Sequence, residues 1–228
     1  MGKIYKIGSR TSSLALRQVD EILARLITFY PDFKAKVVGI KTYGDRDQKT
    51  PISEIEGTDF FTREVDQYLV DKKIDFAIHS AKDLPDQLKK GVKVAALTES
   101  IEPRDVLVAK NNLKLGELPY GAVIGTSSKR RKVQLKNYRK DFKIVDIRGN
   151  IPKRLKILKD KNSRLDAIVI AAAGLIRLGS QDEISQKLPF EIMQPHSLQG
   201  SLAITIRKED VKLNRILNIL DKNYLQEK

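Results

Sequence analysis

Phe76–Pro85 reads FAIHSAKDLP. The stretch begins as a continuous apolar run, the pattern of a strand covered on both faces. It then ends in His79, Ser80, Lys82 and Asp83, and Pro85 closes it. An acid, a base and a hydroxyl thus stand where a buried strand stops. In an α/β protein that is where ligands bind, beyond the strand ends.

The same alternation extends in both directions. KIYKIG (3–8) reads as a strand, and Ser12 and Ser13 cap a helix through Phe29 whose apolar residues recur at helical spacing. KAKVVGIKT (34–42) alternates as a strand, and Phe60–Val70 reads as a helix. Further strands follow in VKVAALT (92–98), RDVLVAK (104–110), GAVIGTS (121–127), KIVDIRG (143–149), LDAIVIAAAG (165–174) and LAITIRKED (202–210). Basic helices fill the gaps after Ser127 and Asn150, and Val211–Leu225 reads as a last helix. Strands alternating with helices predict an α/β fold with mainly parallel sheets. Crossings expected near 98–103 and 194–200 would divide it into two lobes around a central cleft, an arrangement similar to the bilobal architecture of periplasmic binding proteins. The expected domains are 1–98 plus 198–228, and 99–197.

Composition narrows the chemistry. The 228 residues contain no cysteine and two histidines, His79 and His196. Thiolate chemistry, disulfides and Cys-based metal sites are therefore excluded, and a His-rich metal site is not expected. No apolar run reaches the roughly 20 residues that span a membrane, and the N-terminal residues have no signal-peptide pattern; both predict a cytoplasmic protein. The formal charge is +14, and nine of those net charges fall in residues 125–154, which hold eleven Lys and Arg against two Asp. This predicts an anionic partner, with a solvated basic helix face as the alternative. Aromatic residues make up 6% and tryptophan is absent, which gives a nucleic-acid stacking surface little support.

Three strand-to-helix junctions pair hydroxyls with arginine. GSRTSS (8–13) offers Arg10 and Ser12; GTSSKRR (125–131) offers Thr126, Ser128, Arg130 and Arg131; DIRGNIPKR (146–154) offers Arg148 and Arg154. A helix N-terminus with added hydroxyls and guanidinium forks binds anions. Neither GxxxxGK[ST] nor GxGxxG occurs, so carboxylates are favoured over nucleotide phosphates. Asp83 has two readings on spacing alone, a turn cap and a proton-transfer group. For His79 a satisfied strand-end imidazole is the reading preferred over catalysis.

In order along the chain, IGSRTSSLAL, HSAKDLP, EPRDVLVA, GTSSKRR, DIRGNIPKRL, DAIVIAAAGLIRLG and PHSLQG resemble the motif series of the porphobilinogen deaminase (hydroxymethylbilane synthase) family. The resemblance implies a transferase that condenses porphobilinogen units into the linear tetrapyrrole hydroxymethylbilane, releasing ammonia, in tetrapyrrole and heme biosynthesis. It implies Asp83 as the catalytic aspartate. It implies that Arg10, Ser12, Ser80, Lys82, Thr126, Ser128, Arg130, Arg131, Arg148, Arg154 and Arg177 bind carboxylates of substrate or cofactor, with Gln199 and Gly200 in the returning segment between lobes. No metal is implied. The family's cofactor is a dipyrromethane, attached through a cysteine of a third, α+β domain. That domain is not expected in this chain, and no cysteine is present for covalent attachment. The expected outcomes are a primer held non-covalently, a separate polypeptide that supplies the third domain, or no primer. The family's loop lysine is replaced in the stretch Gly57, Thr58, Asp59. The expected partner is the small substrate, with no membrane and no nucleic acid, on a monomeric protein. The alternative function is a non-catalytic bilobal binder of pyrroles or other small polycarboxylates.

Overall fold

The computed structural model describes residues 3–47 and 58–224. Gly57, in the loop substitution noted above, lies outside them. The chain forms two compact units, one from residues up to 47, 58–100 and 201–224, the other from 101–200.

The first unit opens with β1 (Ile4–Arg10), α1 (Ser13–Phe29), β2 (Lys34–Ile40), the short α2 (Tyr43–Arg46), α3 (Arg63–Val70), β3 (Phe76–Ser80) and β4 (Val92–Leu97). The second holds β5 (Asp105–Ala109), β6 (Val123–Gly125), α4 (Lys129–Tyr138), β7 (Lys143–Val145), α5 (Ile151–Lys159), β8 (Ala167–Ala171), α6 (Ala172–Arg177) and β9 (Gln186–Lys187). The chain then re-enters the first unit with β10 (Leu202–Arg207) and α7 (Val211–Leu217).

The strand orders are β2-β1-β3-β10-β4 and β7-β6-β8-β5-β9. The expectation of mainly parallel sheets needs correction, because each sheet is mixed. β1 pairs parallel with β2 and β3, but β10 runs antiparallel to both β3 and β4. Likewise β6 pairs parallel with β7 and β8, while β5 runs antiparallel to β8 and β9. The opposed strand in each sheet is the one beside a crossing between units. It inserts between two strands that run the other way.

The apolar runs are continuous because both faces of each sheet are covered. In the first unit, Phe76 and Ile78 face α1 and α7 through Val19, Ile22, Leu26, Leu213 and Leu217. Ala77 faces the opposite way, onto Val65 and Leu69 of α3. In the second, Leu107, Ala167 and Val169 meet Leu135 of α4, while Val106, Ile168 and Ile170 meet Leu158 of α5 and Leu175 of α6. Burying each such side chain contributes about 1.5–3 kcal/mol as an upper bound. Gly8 is the close-approach point of β1: a Cβ there would stand 2.2 Å from Ile74 Cδ1.

α1 starts where Ser12 Oγ accepts from Ala15 N at 3.3 Å, an N-cap bond. Its Ala15, Val19, Ile22 and Leu26 are buried at helical spacing. Several boundaries differ from the sequence expectation: β7 stops at Val145 rather than 149, β10 at Arg207 rather than 210, and α7 at Leu217 rather than Leu225. The strand expected over 165–174 turns into α6 at Ala172, and the two-residue β9 was not foreseen.

Candidate active site

In the first unit the expected residues gather at the carboxyl ends of β1 and β3, which are paired neighbours. Ser80 ends β3, and its Oγ accepts from Gln18 Nε2 at 2.9 Å, linking the strand end to α1. Ala81–Asp83 forms one turn of 3₁₀ helix. Its backbone is held by Ala81 N donating to Ser201 O at 3.0 Å and Leu84 N to Ala81 O at 3.3 Å. Lys82 and Asp83 lie on this turn, both half-buried. The Asp83 carboxylate accepts no hydrogen bond among the described residues, so it does not cap the turn.

Arg10 ends β1 and forms an ion pair with Asp45, with Nε donating to Asp45 Oδ1 at 3.1 Å. Its guanidinium lies 4.7 Å over the Phe61 ring. Asp45 Oδ2 also accepts from Thr42 N at 3.0 Å and Thr42 Oγ1 at 2.9 Å. Burial alone would raise the Asp45 pKa; Arg10 and Thr42 outweigh it and hold the carboxylate below its ordinary range. Ser12, expected to bind carboxylates, accepts the helix-cap bond through Oγ, which leaves its O–H as a donor.

His79 is buried, and its Nε2 meets Thr205 Oγ1 at 3.1 Å. Thr205 lies two residues along β10 from Ala203, the direct partner of His79. Burial, with Arg10 nearby, lowers the imidazole pKa to about 4. The ring is therefore neutral at pH 7 and satisfied within the sheet. Because the folded pKa lies below the unfolded 6.5, His79 costs no stability above that value and destabilises the fold progressively as pH falls toward 4. The imidazole resonances of His79 should stay flat in an NMR titration from about pH 8 to pH 5.5. A midpoint in that window would contradict the burial argument.

In the second unit two loops leave the carboxyl ends of the parallel pair β6 and β7. Ser127 Oγ ties them together, donating to Ile147 O at 2.8 Å and accepting from Ile147 N at 3.1 Å. Thr126 is fully buried, and its Oγ1 accepts from Ser128 N at 3.4 Å. Ser128 occupies the N-cap position of α4 without a side-chain cap bond. Asn150 caps α5, accepting from Lys153 N at 3.0 Å.

Arg130 and Arg131 converge on Asp105, which is completely buried at the start of β5. Arg130 Nη2 donates to Oδ2 at 2.6 Å; Arg131 donates to Oδ1 through Nη2 at 2.8 Å and Nε at 3.1 Å. Gln199 Nε2 adds a bond to Oδ1 at 2.8 Å, and its Oε1 accepts from Arg131 Nη2 at 3.3 Å. Arg130 Nη1 also donates to Gln194 O. Burial would raise the Asp105 pKa, but the two guanidiniums hold it below the ordinary carboxylate value. Arg177 Nη2 donates to Gly200 O at 2.9 Å, at a residue whose φ of +89° suits glycine.

Arg154 behaves differently. Its Nε donates to Gly149 O at 2.8 Å, and its pKa is lowered to about 10 by burial and by the like charges of Arg131 and Arg148. Arg131 and Arg148 thus both stand near enough to disfavour the charge of Arg154, which is itself half-buried. An anion placed among them would relieve that repulsion. Asp45, Gln18 and Asp105 complete the two groups and were not among the expected site residues. The Thr42-x-x-Asp45 spacing, a capping box, was the available signal for Asp45. Among the described residues no cluster of three or more His, Asp or Glu could hold a metal ion.

Solved structures with the same fold include a substrate-binding protein of a polar amino acid uptake transporter from Streptococcus thermophilus. It has TM-score 0.56 and 16% identity, over 94% of this chain and 78% of that one. A periplasmic binding protein with high arginine specificity from Salmonella typhimurium gives TM-score 0.50 and 14% identity, over 99% and 97%. These define a protein of two mixed-sheet α/β lobes of the periplasmic-binding-protein type. The family model described as "Porphobilinogen deaminase, dipyromethane cofactor binding domain" matches residues 5–215. Porphobilinogen deaminase of Clostridioides difficile is 43% identical over 219 residues, 95% of this chain and 72% of that protein. The Brevibacillus brevis porphobilinogen deaminase is also 43% identical, over 97% and 71%. The chain belongs to the porphobilinogen deaminase family.

Proposed function

We infer that this chain performs the family's transferase chemistry, joining porphobilinogen units head to tail into hydroxymethylbilane with release of ammonia. The observation that carries this reading is the grouping of Arg131, Arg148 and Arg154: burial first, then the like charges of Arg131 and Arg148, lower the Arg154 pKa to about 10. Each porphobilinogen unit brings an acetate and a propionate, so the growing product is a polyanion. Such a cluster binds carboxylates through paired N–H donors. Thr126 and Ser128 stand at the same loop, and Arg177, Gln199 and Gly200 shape the segment that returns from it.

In the first unit Asp83 is the acid–base group. Its carboxyl hydrogen-bonds the leaving amine nitrogen and delivers a proton there. As C–N cleavage leaves positive charge on the pyrrole methylene, the carboxylate balances it. Arg10, fixed by Asp45, together with Lys82, Ser80 and Ser12, orients the substrate carboxylates around that step.

The family's dipyrromethane supplies the pyrrole carbon from which the chain is extended. The cation cluster fits its carboxylates: Arg131, Arg148 and Arg154 would hold them. The 228 residues contain no cysteine, so no thioether to it forms on them. We propose that these residues hold the group non-covalently, any thioether sulfur coming from elsewhere. No described helix is long and apolar enough to cross a membrane. We propose the cytoplasm as the place of the reaction, where the family's biosynthetic chemistry would be expected.

The test is incubation with porphobilinogen, following ammonia, product absorbance after acid oxidation, and the protein's intact denatured mass. Product with an unmodified mass is expected; neither product nor ammonia, on addition of preformed dipyrromethane, would overturn the reading. Arg154→Met should weaken carboxylate binding by about 1.5–3 kcal/mol, read by calorimetry with the dipyrromethane. Unchanged affinity would remove Arg154 from the site.

A further inference from the structure

Gln134 lies on α4, one turn beyond Arg130, and is not among the residues assigned above to the deaminase chemistry. Its amide meets the main chain of Gln194, where the returning segment over 194–200 begins. Gln194 N donates to Gln134 Oε1 at 2.7 Å, and Gln134 Nε2 donates to Gln194 O at 3.1 Å. A backbone N–H only donates and a carbonyl only accepts, so this contact admits one orientation of the amide.

The local sequence suits that contact. Pro195 follows Gln194, and a residue before proline is biased to extended backbone. There a residue's own N–H and C=O point to one side, as in a hydrogen-bonded strand pair. A primary amide carries a donor and an acceptor side by side, so one glutamine covers both groups.

The Gln194 carbonyl has a second donor. Arg130 Nη1 also donates to it, while Arg130 Nη2 donates to Asp105 Oδ2 at 2.6 Å. The guanidinium is therefore held at both ends. Asp105 is fully buried and fixed by Arg131 and Gln199 as well. Gln194 is exposed, and its carbonyl stays in place through Gln134. Arg130 keeps its Nε–H and one N–H on each terminal nitrogen, with no other acceptor among the described residues, and its side chain is 23% exposed. We propose that Gln134 is a positioning residue: by fixing the Gln194 carbonyl it sets the plane of the Arg130 guanidinium and aims those remaining N–H groups at an incoming carboxylate. The inference rests on the reading above, in which guanidiniums at this loop take carboxylates of substrate or cofactor.

The test is a double-mutant cycle of Gln134→Met and Arg130→Met, with affinity for preformed dipyrromethane read by calorimetry. Methionine keeps the length of glutamine without its bonds. Gln134→Met should bind about 3- to 10-fold more weakly, and Arg130→Met about 10-fold or more, the difference between a neutral and a charged hydrogen-bonding group. In the Arg130→Met background, Gln134→Met should change affinity by less than about 2-fold, because the group it positions is gone. A residue that only supports the fold would weaken binding alike in both backgrounds and lower the urea midpoint in step; that result overturns the proposal. So does parent-like affinity in either single variant, with deaminase turnover by the parent leaving the functional reading intact. A parent that neither binds dipyrromethane nor turns over porphobilinogen would overturn that reading, and this inference with it.

A second readout needs no ligand. With both ends held, rotation of the Arg130 guanidinium is slowed, and Nη1 and Nη2 should give separate nitrogen NMR signals, assigned by their loss in Arg130→Met. In Gln134→Met the two should merge. Merged signals in the parent, or separate ones in Gln134→Met, would mean that Gln134 does not set the guanidinium.

Discussion

Asp83→Ala is expected to lower turnover by about 10²- to 10⁴-fold, the range for losing a positioned acid–base group. The fold should survive. The Ala81–Asp83 turn is held by backbone bonds to Ser201 O and Ala81 O, and the Asp83 side chain contributes none. A half-buried side chain without partners alters stability by roughly 0.5 kcal/mol or less when truncated. Binding should change little, since in the proposed reading guanidiniums rather than Asp83 hold the substrate acids; the loss then belongs in kcat. Asp83→Asn separates charge from shape. It fills the same space, donates a hydrogen bond, but neither delivers the proton nor balances positive charge, so it should be nearly as impaired. Single-turnover ammonia release with saturating porphobilinogen is the measurement. Turnover at the parent rate in the alanine variant would reduce Asp83 to a turn residue.

The sequence shows the strands readily and their directions poorly. FAIHS and AIVIA are continuous apolar runs because helices cover both faces of each sheet, and that is visible in composition alone. LAITIR is equally apolar but runs antiparallel between β3 and β4. A period-2 pattern reads the same in either direction, so mixed pairing has no local signal. β9 has two residues, too few for any periodicity. At Ala172 three consecutive alanines extend the apolar run, yet alanine is the strongest helix former, and α6 begins there. The site divides in the same way. Hydroxyls and arginines at strand ends were legible because those residue types are local. Their partners were not: Asp45 lies 35 residues from Arg10, and Asp105 lies 26 from Arg131. Arg130 and Arg131 therefore read as free anion binders, although much of their donor capacity goes to Asp105.

Asp105→Ala should be the most destabilising single change, costing about 3–5 kcal/mol, as when one partner of a buried ion pair is removed. Against a domain stability of about 5–15 kcal/mol that is a large fraction, measurable as a shift in urea midpoint. Asp105 is fully buried and accepts from Arg130, Arg131 and Gln199 at 2.6–3.1 Å. Its removal leaves the nearly buried Arg131 without a counter-charge and Gln199 with one fewer acceptor. Asp105→Asn keeps the shape and should fall between parent and alanine variant. The pH dependence has a definite sign. The two guanidiniums, against burial, hold the folded pKa below its ordinary 3.8. The carboxylate therefore stabilises the fold above that value, and its contribution is lost as pH falls through the folded pKa. The parent should lose stability in that acid range, and the alanine variant should lack this part of the dependence. Pairing Asp105→Leu with Arg131→Met separates the buried charge from the shape of the site. Replacing ion-pair members by apolar residues can restore stability, but the cation cluster around Arg154 would lose Arg131. Recovery of the urea midpoint with weakened carboxylate binding would show that Asp105 exists to hold Arg131 in place for the anion. A parent-like midpoint in Asp105→Ala itself would mean that solvent reaches the pair and that the buried ion pair is not what anchors α4 to β5.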